Sequence, residues 1–356
     1  MNIFYSDTHR LHDPAFEVFD GGQRVPYLES PERMERILKA LRATTWAEIH
    51  PPRDFGLAPL RAVHSDAYLN FLASAWTEWL AATPESSAAS EKTALLPATF
   101  AAKRDQMPES ILGKAGFFLL DLSVPLVEGT YAASLASAHC ALSAAEFISS
   151  SFTPALAPGA SVFPLSSFAL CRPPGHHAGR EIAGGYCFLN NAAIAAQWLT
   201  QFGKVAILDV DYHAGNGTQD IFYSRSDVLT ISIHADPSFE YPYYAGYATE
   251  TGDGDGVGFH HNFPLPAGTD DAAYLQTLDK ALEQITAYGP SSVVISLGMD
   301  TYESDPLGSF KITREGIAEI GQCIADLKLP TAIIMEGGYN TDALGENVVA
   351  FLQNFV

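Results

Sequence analysis

The sequence predicts an open, doubly wound α/β fold: one mainly parallel sheet with helices on both faces, in a single domain spanning residues 1–356. Three observations carry this. Short runs of Val, Ile, Leu and Ala recur without clean alternation, as strands buried on both faces require. Stretches of helical period lie between them, and the two kinds alternate along the chain, which is how parallel strands joined by crossover helices are built.

In chain order, helices are expected at PERMERILKALRA (31–43), AYLNFLASAWTEWLAA (67–82) and TYAASLASAHCALSAAEFISS (130–150). Between the last two, from about Thr83 to Gly113, the sequence turns to Ser, Ala, Pro and charge with no firm period. So long a loop in a compact domain reads as an insertion that is a lid, an interface or disordered. Strands then follow at SFALCR (167–172), KVAILDVDYH (204–213), DVLTISIHAD (227–236), SSVVISLGMD (291–300) and PTAIIMEGGY (330–339). They are interleaved with helices at NNAAIAAQWLTQFG, DDAAYLQTLDKALEQITAYG and TREGIAEIGQCIADLK, of which two end near a capping glycine.

A chain of 356 residues that is 47% hydrophobic can fill a sizeable core. No apolar run reaches the roughly 18 residues of a membrane span, and the N-terminal MNIFYSDTHR lacks the order of a secretory signal, so the cytoplasm is the expected compartment. Cys140, Cys171, Cys187 and Cys323 lack CxxC spacing, and neither a disulfide framework nor a thiolate zinc site is expected. The formal net charge of −21 at pH 7 repels nucleic acid and anionic lipid and favours a small cationic substrate, although acidity also serves plain solubility.

Polar residues gather at the C-terminal ends of the apolar runs, where open α/β sheets place their sites. Asp209, Asp211 and His213 follow VAIL at i, i+2 and i+4 and share a face if the strand continues; Asp300 ends SSVVISLGMD; Tyr339 ends the EGGY run; His176 and His177 follow the stiff CRPPG turn. Each alone has a bland explanation, a helix-capping Asp or a packed His. Together they describe a buried carboxylate cluster, which is costly unless a cation neutralises it. Asp211, His213 and Asp300 are the candidate ligands of a catalytic Zn²⁺, and an oxygen-rich set accommodates Fe²⁺, Mn²⁺ or Co²⁺ as well. Asp209 is placed behind an imidazole, fixing its tautomer. GDGDGVGFHHN (252–262) reads as a Gly-rich surface turn, with no role for His260 or His261, and Cys187 as a packed thiol.

RPPGHHAG, GGYCFLNNAAIAA, ILDVDYHAGNGTQDIFY, LGMDTYESDPLGSFKIT and MEGGY resemble, in order, the signatures of the zinc-dependent histone deacetylase family, most closely its bacterial acetylpolyamine amidohydrolase branch. The similarity runs over nearly the whole chain and implies the arginase-like α/β fold. It also implies zinc on Asp211, His213 and Asp300, His177 as general base and then acid, His176 as its electrostatic partner, and Tyr339 as donor to the acetyl carbonyl. Asp209 would bond His176, and Asn216 would bond His177. A neutral Asn behind one imidazole and a carboxylate behind the other push the two pKa values apart, leaving His177 the neutral base.

The resemblance further implies a structural K⁺ held by Asp209, Asp211, His213 and Ser232. It makes Gly185, Tyr186, Tyr241, Leu307 and Gly338 substrate-binding residues, places Arg33 at the tunnel's inner end, and implies a homodimer formed through the 83–113 insertion. Ala214 and Leu307 depart from relatives: the first follows the liganding histidine, and the second stands where one vertebrate polyamine deacetylase keeps a gatekeeping Glu. A carboxylate for a distal ammonium is therefore sought elsewhere, at Asp105, Glu109 or Glu303. The implied activity is removal of acetyl groups from acetylated polyamines or related small amines. An acetyl-lysine protein deacetylase, a non-catalytic acyl-amine sensor and a binuclear manganese ureohydrolase are the alternatives.

Overall fold

Residues 1–19, 22–83, 94–152 and 165–356 are described by the computed structural model. Among them the strands are β1 (Asn2–Phe4), β2 (Glu17–Phe19), β3 (Gln23–Val25), β4 (Glu48–His50), β5 (Ser166–Ala169), β6 (Val205–Asp209), β7 (Val228–Ala235), β8 (His260–Leu265), β9 (Ser292–Leu297) and β10 (Thr331–Met335). β2 and β3 form a small antiparallel pair. The other eight form one sheet in the order β4-β1-β5-β10-β9-β6-β7-β8, with neighbouring strands parallel throughout.

Alternate residues of the central strands feed two apolar layers. Val205, Ile207, Val294, Ala332 and Ile334 face one, and Ala206, Leu208, Val293, Ile295, Ile333 and Met335 the other. Both faces are apolar, so the period of two leaves no polar trace in the sequence. Helices Thr130–Ser149 and Asn191–Leu199 cover the first layer. The second lies under Pro31–Arg42, Asp271–Tyr288, Arg314–Ala325 and Thr341–Leu352. Helix ends follow local chemistry: the Asp270 side chain accepts from Ala273 N at one end of Asp271–Tyr288, and Gly289 at φ 64° closes the other. Among the described residues no helix is long and apolar enough to cross a membrane.

Three expectations need correction, and two strands went unanticipated. The run KVAILDVDYH leaves the sheet at Asp209, so Asp211 and His213 are not strand residues. The edge strand β4 and its neighbour β1, three residues each, are too short to show a pattern in the sequence. The 252–262 stretch turns only at its start, because His260 opens β8, is buried and pairs with Thr230 of β7. The insertion ends sooner, since Ile111–Phe118 is a helix and Leu95 is already bridged to Leu126. Its residues 84–93 lie outside the described residues.

Candidate active site

β5, β10, β9 and β6 are consecutive in the middle of the sheet, and the segments leaving their C-terminal ends meet in one crevice. From β5 comes the His176–His177 turn. Glu336, just past β10, holds it: Oε2 accepts from Gly175 N at 2.6 Å and His176 N at 3.1 Å. Gly175 has no room for a side chain, since a Cβ there would strike the Asn191 backbone N. The two imidazole centroids lie 3.9 Å apart. His176 Nδ1 is 2.9 Å from Asp209 Oδ2, and His177 Nδ1 is 2.7 Å from Asn216 Oδ1. An amide oxygen only accepts, so His177 carries its proton on Nδ1 and keeps a lone pair on Nε2. Burial opposes charge on His176, but Asp211 and Asp209 outweigh it and push the imidazole up to about 10. His177 is held well below the ordinary range by burial, then by His176 and His213.

Past β6 the chain turns through two side-chain bonds. Asp209 Oδ1 accepts from Asp211 N at 3.0 Å, and Asp211 Oδ1 accepts from His213 N at 2.9 Å. Repetition of this i to i+2 bond, rather than a strand pleat, brings Asp211 and His213 together. Asp300, after β9, accepts from Tyr212 N at 3.0 Å. His213 Nδ1 lies 3.3 Å from Asp211 Oδ1 and 3.1 Å from Asp300 Oδ2, and the donor atoms of the three side chains all fall within 4.8 Å of one another. Both carboxylates have no solvent exposure. Burial and the adjacent Asp211 charge push the Asp300 carboxyl up to about 7. Two dry carboxylates at this separation repel, and a divalent cation among two oxygens and one imidazole nitrogen relieves the repulsion. The donor set therefore fits such a metal. Ser232, one strand over on β7, is buried, with Oγ 3.4 Å from Gly215 N and 2.7 Å from His234 Nδ1.

Tyr339 faces this group across a cavity of about 550 Å³, whose lining includes His177, His213, Gly185, Tyr186, Tyr241 and Leu307. Asp305 Oδ2 fixes the backbone there, accepting from Tyr339 N at 2.6 Å and Asn340 N at 2.9 Å. Buried Arg33 donates to Gly338 O and Glu336 O, both at 2.6 Å, pairs with Glu29 at 2.7 Å, and sets its guanidinium 4.8 Å from the Tyr339 ring centroid. Gly338 thus meets Arg33 through its carbonyl and is not among the lining residues. Burial drives the Tyr339 phenol well above its ordinary range, keeping it a donor.

On the walls, Asp121 Oδ2 accepts from Gly185 N at 2.8 Å and Tyr241 OH at 2.7 Å, and Glu17 Oε2 accepts from Tyr186 OH at 2.6 Å. The Tyr241 ring stands 4.8 Å from the His177 ring at 83°. Gly185, at φ 49°, packs so closely that a Cβ would strike His177 Cδ2.

Sequence reasoning missed Glu336, Asp121, Glu17 and Asp305, which hold the parts in place. Glu336 and Asp305 stood inside motifs already quoted, whereas nothing local marks Asp121 or Glu17. Asp105, Glu109 and Glu303 are exposed and do not line the cavity; among the described residues its carboxylates are Asp121 and Glu240. His176, Cys187 and Glu336 also bring donor atoms within 4.8 Å, but burial pushes the Cys187 thiol far up and leaves it a poor ligand.

A family model described as "Histone deacetylase domain" matches residues 27–355. The chain is 45% identical to acetylpolyamine amidohydrolase 2 of Pseudomonas aeruginosa, covering 100% of this chain and 98% of that protein. It is 39% identical to the acetylpolyamine amidohydrolase of Mycoplana ramosa, with 99% of each covered. A crystal structure of acetylpolyamine aminohydrolase from Burkholderia pseudomallei superposes with a TM-score of 0.90 at 39% identity, covering 100% of this chain and 98% of that one.

Proposed function

Because this chain belongs to the histone deacetylase family, we propose that it is a metal-dependent amidohydrolase that removes acetyl groups from acetylated polyamines or related small cationic amines, releasing acetate and a free amine. The observation that carries the reading is convergence: His177, Tyr339 and the Asp211, His213, Asp300 donor set all front one cavity or its floor. Those three side chains would hold a divalent ion, Zn²⁺ by the chemistry of the set, and Asp209, Asp211, His213 and Ser232 a structural K⁺. When bound, the divalent ion supplies Lewis-acid polarisation of the amide carbonyl and acidifies water.

The protein's own residues supply the rest. His177 Nε2, neutral and aimed into the cavity, takes the proton of the attacking water and returns it to the leaving nitrogen. Tyr339, kept protonated, donates to the carbonyl oxygen as negative charge gathers there. His176, held as a cation by Asp209 and Asp211, stabilises that charge at short range without giving up its own proton. The wall rings of Tyr186 and Tyr241 grip a slender methylene chain and exclude water around the amide. The names of the relatives and the charge of −21 favour a cationic amine over a protein surface.

The 83–113 segment carries exposed Phe100 and Met107, which suits a homodimer formed through it; light scattering after gel filtration checks this, and a monomer at micromolar concentration refutes it. For the activity, acetate release from N-acetylputrescine is followed before chelation, after chelation and after zinc is returned. Loss and recovery support the reading, and full activity in metal-free protein overturns it.

A further inference from the structure

A carboxylate stands in the outer part of the cavity where the acetyl chemistry has no use for one. Glu240 lines the same space as His177 and Tyr339, and it immediately precedes the wall residue Tyr241, whose ring packs against His177. Both residues line the one cavity, so a chain lying along the Tyr241 ring shares that space with Glu240. The carboxylate is held in place: Oε2 accepts from Tyr212 OH at 2.9 Å and Oε1 from Tyr241 N at 3.1 Å. Tyr212 in turn packs edge-on against His213, with ring centroids 4.9 Å apart. Glu240 is thus one tyrosine away from the candidate metal ligands.

The other lining carboxylate is more fully committed. Asp121 accepts from Gly185 N, Tyr241 OH and Ser123 N, which leaves little of its acceptor capacity. Among the described residues Glu240 accepts two such bonds, from Tyr212 OH and Tyr241 N, and has the larger remainder. A turn closed by Tyr243 N donating to Glu240 O at 3.0 Å brings the Tyr243 ring to the same rim. Tyr243 holds φ at 68°, a conformation non-glycine residues rarely adopt, and its side chain stays largely in solvent. Among the described residues no Lys or Arg lines the cavity. A half-buried carboxylate beside aromatic faces, with no competing cation, is an ammonium site.

We propose that Glu240 is a specificity-determining residue that receives the distal ammonium of a short acetylated diamine, with the Tyr243 ring covering a second side of the cation. This rests on the deacetylase reading above, which it makes specific by naming an acetylated α,ω-diamine as the substrate class. The ammonium donates to the two oxygens of Glu240 while the methylenes lie between Tyr186 and Tyr241 and the acetyl group reaches Tyr339.

The test compares kcat/KM for N-acetylputrescine and its neutral isostere N-pentylacetamide in wild type, Glu240→Gln and Glu240→Asp. The wild type prefers the cation. In Glu240→Gln the cation-to-neutral ratio falls about tenfold, mainly through KM, as loss of a charge-assisted bond requires. Glu240→Asp, which keeps the charge, retains more of the preference. Tyr212→Phe, which removes only the anchoring hydroxyl, controls for displacement of the side chain. A ratio within twofold of wild type in Glu240→Gln, or a drop no larger than in Tyr212→Phe, overturns the inference while leaving the deacetylase reading intact. A wild type that hydrolyses neither amide sinks both.

Discussion

Replacing Glu336 tests how the two histidines are held. Its carboxylate is fully buried and accepts from Gly175 N and His176 N. Glu336→Ala orphans both donors, each at a cost of about 1–3 kcal/mol, giving roughly 2–6 kcal/mol in all. An opposing effect depends on pH. Burial, with Asp209 and Asp211 nearby and His176 partly offsetting them, raises the Glu336 carboxyl from 4.5 to about 7. Between those values the folded protein keeps a proton that the unfolded chain has lost, so this residue's contribution to stability falls as pH rises through the window. Over pH 5 to 8 the change is about 2–3 kcal/mol.

Glu336→Gln keeps an acceptor oxygen and carries no charge. The wild type should therefore lose about 2–3 kcal/mol relative to Gln on going from pH 5 to pH 8, while the Ala variant is clearly less stable than wild type at pH 5. Urea unfolding of the three proteins at both pH values measures this. In activity, Ala should lower kcat on the order of a hundredfold as the imidazoles shift, with Gln keeping most of it. An Ala variant as stable and active as wild type, or a wild-type-to-Gln difference independent of pH, refutes the reasoning.

Three further outcomes follow from the site. His177→Ala removes the neutral base and should lower kcat on the order of 10²–10⁴-fold with metal content unchanged; metal analysis alongside the kinetics checks both. Tyr339→Phe deletes the donor to the developing oxyanion and should cost about 10²–10³-fold in kcat, with near-normal turnover refuting its role. Gly185→Ala drives a Cβ into His177 at a positive φ and should cost at least tenfold in kcat/KM, whereas a silent Ala would show that the wall has slack.

The strands that build the site were legible because β6, β9 and β10 are apolar on both faces and end on chemistry. β1, β4 and β8 were not: two are three residues long, and β8 carries His260, His261 and Asn262 among few apolar positions. The spacing of Asp209, Asp211 and His213 led to the right cluster for the wrong reason, since repeated aspartate turns and not a pleat bring them together. Asp121 meets Gly185 from 64 positions away and Glu17 meets Tyr186 from 169, and no local pattern records such pairings. Glu240 was hidden likewise, because its place at the rim depends on Tyr212 and on a turn of its own segment.

The most direct measurement is the kcat/KM of the zinc-loaded protein for N-acetylputrescine beside that for an acetyl-lysine peptide, each followed by acetate release. The account requires the diamine to be the better substrate by at least tenfold; equal or greater efficiency on the peptide contradicts it.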